Sequence, residues 1–535
     1  MKTIYKTFLI GLLAVMSVSC EDFMEEDPRG RLASNTFFSN RNDLNMAVHA
    51  LYAKVAEYSL TNGNLGLYWA GDDITTHPAS NKADFRAYDQ YNVEDNNRFV
   101  INTWDFLFRI IKASNYVINN ADKTPDVSEQ DIKAAIAQGC YWRAYSYFHL
   151  VRTYGALPMM LEEEINYNAA LAPVEEVYNQ IVKDLKTAEE GLPALWDGGA
   201  PQKTNGGMNL WVSQGAAKAT LSYVYLCMAG WPMHKTENYA LAASKAKEVI
   251  DGAANGTYYY ELLDEYWKVH SWEYNYSNKE ILLAVYYTLN FGTSEPHANM
   301  SSACDVLSDV AGGNGWGDTA SEILFWTKFP DGPRKEATFA PKTLLNTGLE
   351  DWWFDTEPAS RGVVAPWFIK TAEGNRGTEW DYNLGSRQGD WMGEKNHHVV
   401  RMSEVYCWYA EAIGRSGGND ASAYDALNKV RVRAGLEPIA TGSLSPEALA
   451  EAAYDEHGWE IAGYYWGNLA PRFYDMQRMN RVKDHFEYRK LNPMHEVAPG
   501  IFRNEKVSVE GSWSDNMMYA PYPSTDALLN PNLKK

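Results

Sequence analysis

Two stretches of this chain set flat aromatic rings beside planar polar side chains, a combination suited to gripping a sugar in water. The first holds Tyr68, Trp69, Asp72, Asp73, Arg86, Tyr88, Tyr91, Asn96 and Asn97; the second holds Tyr274, Tyr276, Trp316, Trp352 and Trp353. An aromatic ring lies against the apolar C–H face of a pyranose because its electron-rich face attracts weakly positive C–H groups, and it loses little rotamer freedom on binding. Amides, carboxylates and guanidiniums then pair with vicinal hydroxyls. The chain carries 19 Trp and 35 Tyr, so any given ring more often fills the core than meets a ligand. Trp104, Trp142 and Trp408 fall in helical stripes and are assigned to packing.

Bond-breaking chemistry finds less support. A glycosidase needs two carboxylates flanking the scissile bond at a set separation. Asp72 and Asp73 are adjacent and face different ways, and among 69 acids some pair arises by chance. No HExxH or Walker-type loop occurs, and His397-His398 lacks the i, i+4 spacing of a helical metal pair. Gly313-Asn314-Gly315-Trp316-Gly317 lacks the strand–turn–helix context of a phosphate cradle, and Asp305 and Asp309 lack EF-hand spacing for calcium. The expectation is a binding protein with no catalytic residue, no metal and no cofactor. A binder of peptide or another nutrient, and a surface glycoside hydrolase, are the alternatives.

Charge narrows the partners. The 69 acids and 48 bases give a net charge of -21. Loss of residues 1–19, which hold two lysines and no acid, would take it to -23. Such a surface repels phosphate backbones, so no nucleic acid is expected. At the N-terminus Lys2 and Lys6 precede an apolar run from Phe8 to Val18, followed by Ser19, Cys20, Glu21 and Asp22. That run is 11 residues long, well short of the ~20 that cross a hydrocarbon core. It reads as a lipoprotein signal over residues 1–19 with Cys20 as the acylated residue, although Ser17 stands where such signals usually carry an aliphatic side chain. Several acyl chains anchor stably where one binds only marginally. Cys140, Cys227, Cys304 and Cys407 are widely spaced, with no CxxC pair; the three in apolar helical stretches (Cys140, Cys227, Cys407) are expected as buried thiols.

The elements that must hold the aromatic stretches are helical. Leu44, Val48, Leu51 and Val55 repeat at helical spacing, as do Trp104, Phe108, Ile111, Asn115 and Ile118. Residues 137–152 put Tyr141, Ala144, Tyr145 and Phe148 on one face and end at Gly155, and 174–192 carry Val177, Ile181, Leu185 and Ala188 in step. Two helix pairs, 213–229 with 239–250 and 401–413 with 421–434, look tetratricopeptide-like, with small residues letting antiparallel helices approach. Between about 262 and 393 helical stripes are lacking and Gly and Pro cluster, with a short strand or buried segment at Ile281–Tyr287. Nine of the 19 Trp fall there, which assigns that segment a surface role because loops run over surfaces and carry function.

Residues 137–160, AQGCYWRAYSYFHLVRTYGALPMM, closely resemble the "RAYxYFxLVRxYGxxPL" stretch of the SusD/RagB-like outer-membrane nutrient-binding lipoproteins of Bacteroidetes. Cys20-Glu21-Asp22-Phe23 with Pro28, VEEVYNQIVKDL at 174–185, RMSEVYCWYAEA at 401–412, NKVRVRAGL at 428–436, Pro521-Tyr522-Pro523 and Asn530-Pro531-Asn532 follow in the family's order. One departure stands at Glu456-His457-Gly458-Trp459-Glu460 with Arg472, Asp475 and Arg478, where the family tends to read "ER..EF..EG.R..DL.RW". The resemblance implies a mainly α SusD-like fold: tetratricopeptide-like helix pairs forming a globular scaffold with long irregular, loop-rich insertions. It divides the chain into an N-terminal helical region, 20–230, and a C-terminal region, 231–535. It also implies a surface-exposed glycan-binding lipoprotein, held in the cell outer membrane by its lipid anchor and delivering oligosaccharide to a SusC-like TonB-dependent transporter. Glycan contacts carry over only loosely, to the loop from Trp69 to Asn97 and to the Trp316 region.

Overall fold

The computed structural model describes residues 37–60, 67–78, 80–196, 209–286, 319–340, 343–345, 348–353, 365–370, 375–376, 379–380, 396–463, 467–491 and 493–534. Cys20, Cys304, Asp305, Asp309 and Trp316 lie outside them, as does the side chain of Tyr68. Within the described residues the fold is helical, and the strands, two to five residues long, pair two by two.

Helix Arg98–Ile118 starts where the Asn97 side chain accepts from the Phe99 amide at 2.9 Å, and it buries Val100, Trp104, Leu107 and Ile111. Helix Glu129–Tyr154 is capped by Ser128 and stopped by Gly155, whose φ of +82° a residue with a Cβ adopts only under strain. The sequence predicts one buried face here, yet every residue from Ala137 to Tyr154 is buried. The reason is that this helix is enclosed: Arg98–Ile118 packs on one side and Val174–Gly191 on another. Its two buried arginines pair with residues of neighbouring segments. Arg143 makes a bidentate pair with Asp184 (2.8 and 2.7 Å) and reaches Asn115 (3.0 Å), tying the three helices together. Arg152 donates to the Leu469 carbonyl and lies 3.6 Å over Phe148 and 3.9 Å over Tyr474.

Both predicted helix pairs form. Gln214–Ala229 packs on Asn238–Ala254, with Ala216, Ala219, Ala242 and Ala246 buried, so the backbones approach closely. Met402–Arg415 packs on Ala421–Arg433, on Pro446–Ile461 and on Asn238–Ala254, which joins the pairs. Gly414 sits where a Cβ would come within 2.5 Å of the Pro446 carbonyl and 2.8 Å of the Ala450 amide. Trp104, Trp142 and Trp408 are all buried, and Cys140, Cys227 and Cys407 are buried free thiols whose burial raises Cys140 to about 12 and Cys227 to about 11.

Strand Ile281–Val285 pairs antiparallel with His397–Arg401, which places Arg401 beside Glu280 (3.0 Å) and Glu460 (2.9 Å). Arg433 joins both acids, and Arg334 holds Glu456 (2.7 Å) and Glu460 (3.1 Å). Nearby, Arg478 bridges Asp475 and Glu411, and His457 meets Asp475 at 2.6 Å. Of the residues where the family pattern departs, Glu456, His457, Glu460, Asp475 and Arg478 are therefore buried ion pairs that lock the C-terminal helices. Breaking one such pair costs about 3–5 kcal/mol, because the remaining charge is left buried without a partner.

Candidate functional site

The two aromatic stretches meet through a two-residue sheet: Thr75–Thr76 pairs antiparallel with Thr319–Ala320. Beneath it the Asp89 carboxylate accepts from the Thr76 amide (2.7 Å), from the Thr75 and Thr76 hydroxyls and from Arg489 (2.8 Å). Arg489 also donates to Glu322 at 2.7 Å, and His485 stands between Glu322 and Tyr91 with 2.7 Å on each side. The Tyr91 hydroxyl donates to the Ala70 carbonyl, so His485 Nδ1 donates to Tyr91. Burial pushes the Glu322 carboxyl well up and the His485 imidazole down to about 4, which keeps this pair neutral with one proton between Nε2 and Oε1. This chain of bonds ties the early loop to helix Val482–Leu491.

In front of it lies a cavity of about 360 Å³, within the range of small-ligand sites. Its rings are Phe325, Tyr454, Trp459 and Tyr488, and its charged groups include Asp72, Lys328, Asp455, Arg472 and Arg481. Asp72 takes a bidentate pair from Arg472 (2.8 and 2.7 Å), and that guanidinium lies 4.7 Å over the Tyr454 ring. Burial raises the Asp72 carboxyl, the Arg472 charge outweighs it, and the net lies below the usual range. Ring faces and planar ionic pairs thus share one concave wall.

The remaining sequence candidates divide among several settings. Trp69 is 1% exposed and stacks on Phe85 (4.2 Å, 7°), which stacks on Phe99 (4.7 Å, 14°), so it is a core ring, not a ligand platform. Asp73 is buried and accepts from the Gly463 amide at 2.6 Å; burial, then the neighbouring Asp72 charge, pushes it up to about 6. Arg86 donates to the Ser80 carbonyl and braces its own loop. Asn97 is the helix cap already described, while Asn96 is exposed. Tyr88 and Tyr91 are buried from bulk solvent but line a second cavity of about 360 Å³ between the early loop and residues 514–521.

Trp352 and Trp353 do come together, edge-on to each other at 5.5 Å, with Trp326 edge-on to Trp352 at 5.5 Å and tilted to Trp353 at 5.6 Å, and with Lys335 4.4 Å over Trp326. Trp352 is 5% exposed, which leaves Trp326 and Trp353 as the half-buried rings of that cluster. Helix Ile323–Lys328 links it to the first cavity, since Leu324, Phe325 and Lys328 line that cavity. Tyr274 packs edge-on to Trp267, and Tyr276, 41% exposed, stacks on Tyr286 at 6.0 Å.

Sequence reasoning missed the opposite wall, from Tyr454, Trp459, Arg472 and Tyr488. A signal existed: Asp455 and Trp459 are four apart, and Arg481, His485 and Tyr488 follow helical spacing, so each set shares a helix face.

Comparison with known proteins agrees with this architecture. The family described as "Starch-binding associating with outer membrane" matches residues 22–226, and the one described as "SusD family" matches 378–535. A SusD-like protein of Formosa agariphila is 25% identical over 549 residues, covering 90% of this chain and 91% of the relative. A crystal structure determined with xylogluco-oligosaccharide superposes with a TM-score of 0.70 at 19% identity, covering 92% of this chain and 98% of that one. A laminarin-binding SusD-like protein superposes at 0.69 with 21% identity and the same coverage, 92% and 98%. The fold is the mainly helical SusD one, with tetratricopeptide-like pairing, and the chain belongs to the SusD/RagB-like family.

Proposed function

We propose that this protein captures glycan at the outer face of the cell and delivers it, uncut, to a SusC-like TonB-dependent transporter, with acylated Cys20 as its anchor in the outer membrane. The observation that carries the reading is the first cavity, where Trp459, Tyr454, Tyr488 and Phe325 stand beside the Asp72–Arg472 pair. Xylogluco-oligosaccharide and laminarin, named with two proteins of the same fold, support carbohydrate as the ligand class. Against hydrolysis stands the setting of the cavity's three carboxylates: Asp72 is engaged by Arg472 and Glu322 by Arg489 and His485, which leaves the exposed Asp455 alone where a glycosidase needs two. Electrophoresis of the purified protein through native gels containing single polysaccharides tests the reading. Retardation by at least one glycan, with no reducing ends released from it, is expected; retardation by none, or sustained release, overturns it.

A further inference from the structure

The second cavity, of about 360 Å³, differs in chemistry from the first. Among the described residues no Asp, Glu, Lys, Arg or His lines it; its walls carry Tyr88, Tyr91, Tyr519, Asn92, Asn516 and Met517. The Tyr88 side chain is 1% exposed and lines the cavity. Asn92 and Asn516 are exposed at its rim, and Tyr519 is half-buried. Tyr91 closes the short helix Ala83–Asp89 in a left-handed conformation (φ 55°), the Asn92 amide donating to the Ala87 carbonyl at 2.8 Å. The bonds of its hydroxyl to Ala70 (2.8 Å) and His485 (2.7 Å) fix its ring at the wall between the two cavities.

We propose that this second cavity is a separate saccharide subsite for a neutral sugar unit, with Tyr88, Tyr519, Asn92 and Asn516 supplying the hydrogen bonds and the tyrosine rings the apolar face. Uncharged amides and phenols match sugar hydroxyls, whereas a uronate or sulfate finds no cation here to offset its desolvation. The proposal rests on the reading of the protein as a glycan binder, and the test separates the two. Equilibrium dialysis with trisaccharides of neutral glucans and mannans, and with a tri-uronate, counts ligands bound per chain. The wild-type chain is expected to take two neutral trisaccharides. Met517→Trp, which fills the second cavity, is expected to take one, and Tyr88→Phe, which keeps the ring, to weaken the second event several-fold while leaving the first unchanged. Trp459→Ala is expected to weaken the first event alone. One ligand per chain in both wild type and Met517→Trp overturns the subsite and leaves the first cavity standing. A tri-uronate bound as tightly at the second event overturns the neutral selectivity, and binding of no saccharide by any protein overturns both readings.

Discussion

Asp73 offers a sharp test of the electrostatics behind the site. Its carboxyl is buried, and the gap between its folded value of about 6 and the ordinary 3.8 corresponds to about 3 kcal/mol. The sign follows from proton uptake. Below 3.8 both folded and unfolded chains hold the proton, and its contribution to stability is fully present. As pH rises from there to about 6, the unfolded chain has released a proton that the folded chain still binds, so the contribution is lost, and above about 6 the loss is complete. Asp73→Asn cannot ionise, and its amide oxygen can still accept from Gly463, so the variant lacks this slope. The opposite shift of Asp72 is present in both proteins and cancels in the difference. Urea unfolding at a series of pH values should show the variant gaining on wild type from near zero at about pH 4 to roughly 3 kcal/mol at about pH 7.5. Parallel profiles, or a gain on going to acid, would refute the assignment.

Other consequences are equally direct. Trp69→Ala should lower unfolding free energy by about 3–5 kcal/mol by emptying the Trp69–Phe85–Phe99 stack, while folded protein keeps its glycan affinity; unchanged stability with lost binding would restore Trp69 as a ligand ring. Gly414→Ala should destabilise by about 1–3 kcal/mol in thermal or urea melts, because the new methyl meets the Pro446 carbonyl. That is opposite in sign to the gain of about 0.5–1 kcal/mol expected in an uncrowded helix, and observing such a gain would argue against the close approach. Cys20→Ser should move the protein from the membrane fraction to the soluble fraction on cell fractionation, and retention in the membrane would point to another anchor.

Much of the scaffold was legible because burial in helices leaves a periodic trace. The pairs at 213–229 with 239–250 and 401–413 with 421–434 match the observed helices to within a few residues, as does the segment begun at Val174. The central helix was read with one buried face because periodicity reports only apolar side chains; Arg143 and Arg152 are buried through partners far away in sequence, and Ser146 by bonding back to the Trp142 carbonyl. The site was less legible for the same reason. Rings in loops were expected at the surface and rings in helices in the core, yet Trp69, in a short turn of helix, stacks in the interior, while Trp459, in helix Pro446–Ile461, lines the cavity. What decides between these fates is a long-range contact: Phe85 covers Trp69, and the sheet joining Thr75–Thr76 to Thr319–Ala320 brings Phe325 opposite Trp459. Asp72 was identified as a polar partner, but Arg472, which orients it, lies 400 residues away.

The central claim is that the wall between the early loop and the C-terminal helices grips carbohydrate. Calorimetric titration of wild type and Trp459→Ala with an oligosaccharide that the wild type binds tests it most directly. Loss of one stacked ring should weaken binding at the first cavity roughly three- to tenfold, with the melting profile little changed. Equal affinity in the two proteins would contradict the assignment of that cavity.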